Sequence, residues 1–331
     1  MVMSRRIVVG LLLTVAVIAA VFFGAVVLEG LLNDGGDENV VVVLKTTGPH
    51  MEFWQIVRAG IQEAATEYRI NPKIVGPRWE RDIDRQIEIF SNVMEQSPDA
   101  ILLAAADYNR LVPLAEEAAA RGIVIVTLDS ALNSSVPVSF VATNNVAAGV
   151  KAGREVDRLV PLNRPIAIVS HIREVATAID REQGVRTALA DRPSNLVLGT
   201  FYSENEPDRA YRIVERLIEE YPQLGGIVAL NENSTVGVGR AIRDLGLSDR
   251  IHLVGFDNSR EEVEFLEKGV VNALVVQKPF NMGYIGIRTV VQVLRGEKVP
   301  PVIYTESVLV RKEEIFTPEN QKLLFPLVEP R

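Results

Sequence analysis

Asp129, Asn231, Asp257 and Gln277 each stand just after a short apolar run: Ile123 to Leu128, Gly226 to Leu230, Ile251 to Phe256 and Ala273 to Val276. Two carboxylates and two carboxamides in equivalent places can exchange hydrogen bonds with a hydroxylated molecule. A sugar hydroxyl donates to a carboxylate while accepting from an amide N–H. Asp and Asn also serve as turn and helix-capping residues, so any one of them alone carries no functional message. Their recurrence at strand after strand is what calls for a ligand. Other polar residues fall at matching run ends, among them Lys45, Thr46, Thr47, Asp107, Ser130, His171, Glu232, Asn258 and Lys278. Phe53 and Trp54 open the helix that follows the first run. Aromatic faces there suit the apolar side of a sugar ring, and they equally suit packing of that helix on a sheet.

The elements that must hold these residues are legible in the hydrophobic periodicity. From Val40 onward, apolar runs at 40–44, 73–76, 100–104, 123–128, 166–170, 196–201, 226–230, 251–256 and 273–276 alternate with amphipathic stretches. Between residues 82 and 96, for example, Ile83, Ile87, Phe90, Val93 and Met94 recur at helical spacing while Asp84, Arg85 and Glu88 take the other face. Continuous rather than alternating apolar strands mean burial on both faces, the mark of a parallel sheet covered by helices. The plan repeats, once from Val40 to about Ala142 and again to Val276, which predicts an α/β fold of two doubly wound lobes. In open parallel sheets ligands bind outside the carboxyl ends of the strands, where the polar residues gather.

Composition narrows the chemistry. The 331 residues are 47% hydrophobic and 24% charged with a net charge of -8, and acidic and basic residues are mixed throughout, so no nucleic-acid-binding face is expected. The absence of cysteine removes disulfides, thiolate metal sites and cysteine nucleophiles together. His50, His171 and His252 are far apart in sequence, and neither a metal nor a cofactor is expected.

Arg5 and Arg6 precede an uncharged stretch from Ile7 to Leu28. Its length as a helix, about 33 Å, is enough to cross a bilayer core. Signal-peptide cores are usually shorter, and the small residues Ala20 and Ala25 lie inside the run, so the segment is read as an anchor or signal segment. With residues 1–6 cytoplasmic, everything after Leu28 is expected outside the cell membrane, beginning with a polar linker at 29–39.

Three other chemistries have partial signatures in the sequence. The VGVGR run at 236–240 lacks the third glycine of a dinucleotide fingerprint and lies within a helical pattern. Ser170 and His171 are adjacent on an extended segment, where neighbours point to opposite faces. Asp129 and Asp257 could pair as acid and base in a glycosidase, but no further catalytic group accompanies them, so no enzyme is expected.

The stretches TGPHMEFWQIVRAGIQEAA, DAILLAAAD, GIVIVTLDS, VATNNVAAGVKAG, DREQGV, VALNENSTVGVGRAI, HLVGFDNS and ALVVQKPFNMGYIG occur in one order. Through them the chain resembles the ribose and galactose class of type 1 periplasmic sugar-binding proteins from about Val40 to Arg311. The resemblance implies a clamp whose chain crosses between lobes three times, near Asn144, Lys278 and Glu306. One lobe would hold residues 40–143 and 278–306, the other residues 144–277 and 307–331. Carried over by position, the family's sugar contacts fall on Thr47, Phe53, Trp54, Asp129, Asn231, Asp257 and Gln277, with Met51, Asp107, Ser130, His171 and Arg181 as further cleft candidates. Met51 and Ala105 stand where ribose binders place asparagines, and Ser130 and Ile179 where they place arginines. The implied ligand is therefore another pentose, a hexose, a smaller polyol or a furanosyl signal rather than ribose held in the usual way. The implied partners are the permease of an ABC sugar importer or, alternatively, a sensor histidine kinase. Sugar-responsive repressors share the clamp but begin with a basic helix-turn-helix, which the apolar N-terminal stretch does not resemble.

Overall fold

The structure, a computed structural model, describes residues 38–325. The segments expected at 7–28 and across most of 29–39 lie outside that range, and among the described residues no helix is long and apolar enough to cross a membrane.

The first lobe begins with alternating strands and helices: β1 (Val40–Val43), α1 (Glu52–Tyr68), β2 (Lys73–Val75), α2 (Ile83–Met94), β3 (Ala100–Leu103), α3 (Val112–Ala120), β4 (Val124–Leu128) and β5 (Ser139–Thr143). The second holds α4 (Asn145–Leu159), β6 (Ile166–Ser170), α5 (Ala176–Ala188), β7 (Val197–Tyr202), α6 (Pro207–Glu220), β8 (Gly226–Ala229), α7 (Glu232–Asp244), β9 (His252–Phe256), α8 (Arg260–Lys268) and β10 (Ala273–Val276). The chain then returns to the first lobe with α9 (Pro279–Leu294) and β11 (Val302–Thr305), and ends in the second with β12 (Val308–Arg311) and α10 (Pro318–Leu324).

Each lobe is built on one six-stranded sheet, in the orders β11-β5-β4-β3-β1-β2 and β12-β10-β9-β8-β6-β7. All pairings are parallel except β12 against β10. The valines of β1 and all of β3, β6, β8 and β10 are buried, as continuous apolar strands between two helical layers must be. Three strands escape the apolar-run reading. β11 and β12 are edge strands, and Val302 and Tyr304 of β11 face solvent at 43% and 56% exposure. β5 reads SFVAT, and its buried Ser139 is accommodated because its hydroxyl donates to the Pro300 carbonyl at 2.7 Å.

Glycines set the helix pairs that carry cavity residues. A side chain at Gly149 of α4 would meet the Arg181 carbonyl of α5 at 2.2 Å, and one at Gly184 of α5 would meet the Val146 carbonyl at 2.2 Å. That backbone contact fixes Arg181.

At the point where strand order reverses in the first sheet, backbone groups just past β1 and β3 lose their ladder partners. The Gln86 side chain of α2, fully buried, takes them up. Its amide donates to the Leu44 carbonyl at 3.0 Å and the Ala104 carbonyl at 2.8 Å, and its carbonyl accepts from the Ala106 N–H at 2.8 Å. Buried unpaired backbone groups cost about 1 to 3 kcal/mol each. Gln86→Leu, which keeps the volume and removes all three bonds, is expected to lower unfolding free energy in urea by about 3 kcal/mol or more. An unchanged midpoint would show that other groups satisfy this end of the sheet.

Candidate functional site

Both sheets point their carboxyl ends at a shared crevice, which holds a pocket of about 290 Å³ counted out into open solvent. The first lobe lines it with Lys45, Met51, Phe53, Trp54, Glu80 and Asp129, and the second with His171, Thr177, Arg181, Asn231, Asp257 and Gln277.

The two aspartates enter it by the same local device. Asp129 and Asp257 follow β4 and β9, and their N–H groups still bond to the neighbouring strands at the Val141 and Val275 carbonyls. Each residue is then left-handed, with φ of 61° and 79°, a conformation Asp tolerates better than most side chains.

The polar groups are connected before any ligand is considered. Lys45 Nζ lies 2.7 Å from Asp129 Oδ2, with both side chains almost fully buried. Asp257 Oδ1 accepts from Gln277 Nε2 at 2.6 Å, and its Oδ2 accepts from the Glu232 N–H at 2.9 Å. Glu80 accepts from the Trp54 indole and from Asn205 Nδ2. Asn231 caps α7 through Ser234 N–H and donates to Asn205 Oδ1 at 2.7 Å. Arg181 donates to Asn145 Oδ1 and the Leu230 carbonyl, and its guanidinium lies 4.6 Å from the centre of the Phe256 ring. Two buried atoms at the cavity have no partner: Gln277 Oε1 and His171 Nδ1.

Burial raises the carboxyl groups of Asp257 and Glu80, opposed by Arg181 on the first and Lys45 on the second. Burial, with help from Arg181 and Lys45, holds His171 well below 6.5, so it is neutral at physiological pH. Three carboxyls therefore face two cations, with Asp257 and Glu80 biased toward keeping a proton. Such a nearly balanced wall suits a neutral hydroxylated solute better than an ion.

Of the residues singled out in the sequence, Phe53, Trp54, Asp129, Asn231, Asp257 and Gln277, together with Met51, His171 and Arg181, come together here. Trp54 is more enclosed than a tryptophan usually is, at 1% exposure, and it belongs to the first lobe's core as well as to the cavity wall. Three residues lie elsewhere. The Thr47 hydroxyl donates to the Gly76 carbonyl at 3.2 Å and its N–H to the Pro77 carbonyl, so Thr47 secures the loop that carries Glu80. Asp107 accepts from the Asn109 and Arg110 N–H groups and closes the turn before α3. Ser130 is buried just behind the left-handed turn, its N–H on the Leu128 carbonyl. Residues absent from the sequence-based site are Lys45, Glu80 and Thr177. Lys45 was visible as a strand-end residue, whereas nothing in the PRWERD loop at 77–82 distinguishes Glu80 from its solvated neighbours.

A model of the periplasmic binding protein domain matches residues 40–298. The chain belongs to the periplasmic binding protein family. Among solved structures, this periplasmic binding protein is similar to a sugar transporter from Clostridium phytofermentans, with 33% identity and a TM-score of 0.78 over 83% of this chain and 100% of that one. It is also similar to an ABC transporter solute binding protein from Agrobacterium vitis with bound D-fucose, with 30% identity and a TM-score of 0.82 over 86% of this chain and 99% of the other. A D-allose-binding periplasmic protein of Escherichia coli (strain K12) is 24% identical over 79% of this chain and 86% of its own length. These relatives are solute-binding proteins rather than enzymes.

The buried acids have a consequence for stability. Burial also raises Glu232 and places Glu262 well above 4.5. Carboxyls whose folded values exceed their unfolded ones bind more protons in the native state, so stability falls as pH rises through the folded values. His171 and His252 are lowered from 6.5 and act in the opposite sense only below that pH. The melting temperature of this periplasmic binding protein is therefore expected to rise as pH falls from about 8, the value to which burial pushes Glu232, toward 6.5. Glu232→Gln should flatten that slope, which differential scanning calorimetry across the range would check.

Proposed function

We propose that this periplasmic binding protein is an extracytoplasmic solute receptor that closes on one monosaccharide-sized polyol and presents it to the permease of an ABC importer, with residues 7–28 as its tether. The observation that carries this reading is the convergence of carboxylates, amides and cations from both lobes on one crevice. Two relatives, solved with bound D-fucose and in complex with D-arabinose, support the ligand class.

In this reading Asp129, Asp257 and Glu80 accept from ligand hydroxyls, Lys45, Arg181 and Asn231 donate, and Phe53 and Trp54 cover the ring's apolar side. Gln277 Oε1 accepts a further hydroxyl, and His171 Nδ1 meets another. Met51 brings a thioether to the wall where ribose binders place an amide, so the ligand carbon facing it needs no hydrogen-bonding substituent. Closure is favoured because only the shut crevice offers both sets of contacts.

A calorimetric panel of D-fucose, D-arabinose, D-allose and D-ribose against the chain is expected to give saturable one-to-one binding for at least one sugar. Absence of binding across pentoses, hexoses and deoxyhexoses would refute the assignment. For the sugar that binds, Asp257→Ala is expected to cost about 2 to 4 kcal/mol of affinity, since truncating one partner of a buried charged hydrogen bond leaves the others unpaired. Undiminished affinity in that variant would remove Asp257 from the site.

A further inference from the structure

The helix that opens the cavity wall starts without a cap of its own. Met51 occupies the N-cap of α1 and makes no side-chain hydrogen bond to it, although the first amides of any helix need acceptors. Two of them find one in the other lobe. The Glu52 and Phe53 N–H groups each donate to the Glu232 carboxylate at 3.0 Å. Glu232 begins α7, is 4% exposed, and is not among the cavity-lining residues.

Its backbone connects the same contact to the cavity, because the Glu232 N–H donates to Asp257 Oδ2 at 2.9 Å. A second bridge runs beside it. Glu204 and Asn205 are consecutive left-handed residues with φ of 53° and 59°, and in that turn Asn205 donates to Glu80 Oε2 at 2.6 Å across the crevice.

We propose that Glu232 is a closure-positioning residue, a carboxylate of the second lobe that caps α1 of the first only when the lobes are shut, and so stabilises the closed form without touching the ligand. This rests on the reading of the chain as a two-lobe receptor. When the lobes part, both amides and the carboxylate return to water. When they meet, the two carboxyl oxygens of Glu232 dock on free amides at the positive end of a helix in a buried setting. Met51 fits this role because a Ser, Thr, Asp or Asn at the N-cap could take up the Phe53 N–H within the first lobe. A residue serving only its own lobe would have its partners there, whereas both acceptor bonds of Glu232 are made across the crevice.

The chain has no cysteine, so one spin label can be placed in each lobe at exposed helix positions by Ala120→Cys and Glu219→Cys. Double electron–electron resonance on the full chain then reads the closed fraction directly, first without sugar and then with D-arabinose, D-fucose, D-allose and D-ribose. Glu232→Ala is expected to reduce the sugar-free closed fraction about ten-fold, as loss of a pair of buried hydrogen bonds implies. Glu232→Gln, which keeps one oxygen acceptor at the same reach, is expected to recover part of it and guards against a variant that fails to fold. An equal closed fraction in wild type and Glu232→Ala, or a wild type with no closed population, overturns the proposal. If no sugar shifts the distance while Glu232→Ala still loses the closed form, the latch stands and the receptor assignment falls.

Discussion

A strand buried on both faces has to give up its ladder somewhere, and the place where it does so is where side chains can leave the sheet plane. In both lobes that exit is a left-handed aspartate whose N–H remains bonded to the next strand while its carboxylate turns into the crevice. The conformation is strained by about 1 kcal/mol or more, and the ladder bond behind it holds it in place. The rest of the site depends on this pair of turns. Asp129 anchors Lys45, and Asp257 anchors Gln277 and the first turn of α7.

The same constraint shapes the electrostatics. Acceptors delivered at strand ends are buried, and burial pushes carboxyls toward the protonated form unless a cation or N–H donor stands near. Lys45 and Arg181 supply that counterweight for Glu80 and Asp257. Glu262 obtains donors from the hydroxyl and N–H of Ser259 in a capping box. The surroundings thus favour a small solute that offers hydroxyls and carries no net charge.

Much of this was legible in the sequence because parallel strands advertise burial and their ends advertise polarity. Asp129, Asn231, Asp257 and Gln277 follow apolar runs with no ambiguity of phase. Thr47 and Lys45 show where that logic stops. Beyond Val43 the chain is irregular, so which of its polar residues faces the crevice depends on the loop at 76–78 to which Thr47 and Thr46 bond. Glu80 was hidden for the same reason, since its importance comes from Trp54 and Asn205, distant in sequence. The edge strands β11 and β12 were hidden because half-exposed strands lose the continuous apolar pattern. Glu232 looked like an ordinary acid in the first turn of a helix, and only the fold reveals that the helix it caps is another one.

The connections between the lobes are short and adjacent. Thr143 and Thr305 are register partners in the first sheet, as are Val276 and Val308 in the second, so the three passages leave side by side. Lys278 lies 3.0 Å from Glu306, and Lys151 reaches the Ser307 carbonyl at 2.6 Å. Three neighbouring straps of one or two residues resist twisting and sliding but yield easily to folding along the line they share. The halves thus retain little more than one soft rotational coordinate, and whatever is gained at the crevice is channelled into that single motion instead of being dispersed over many.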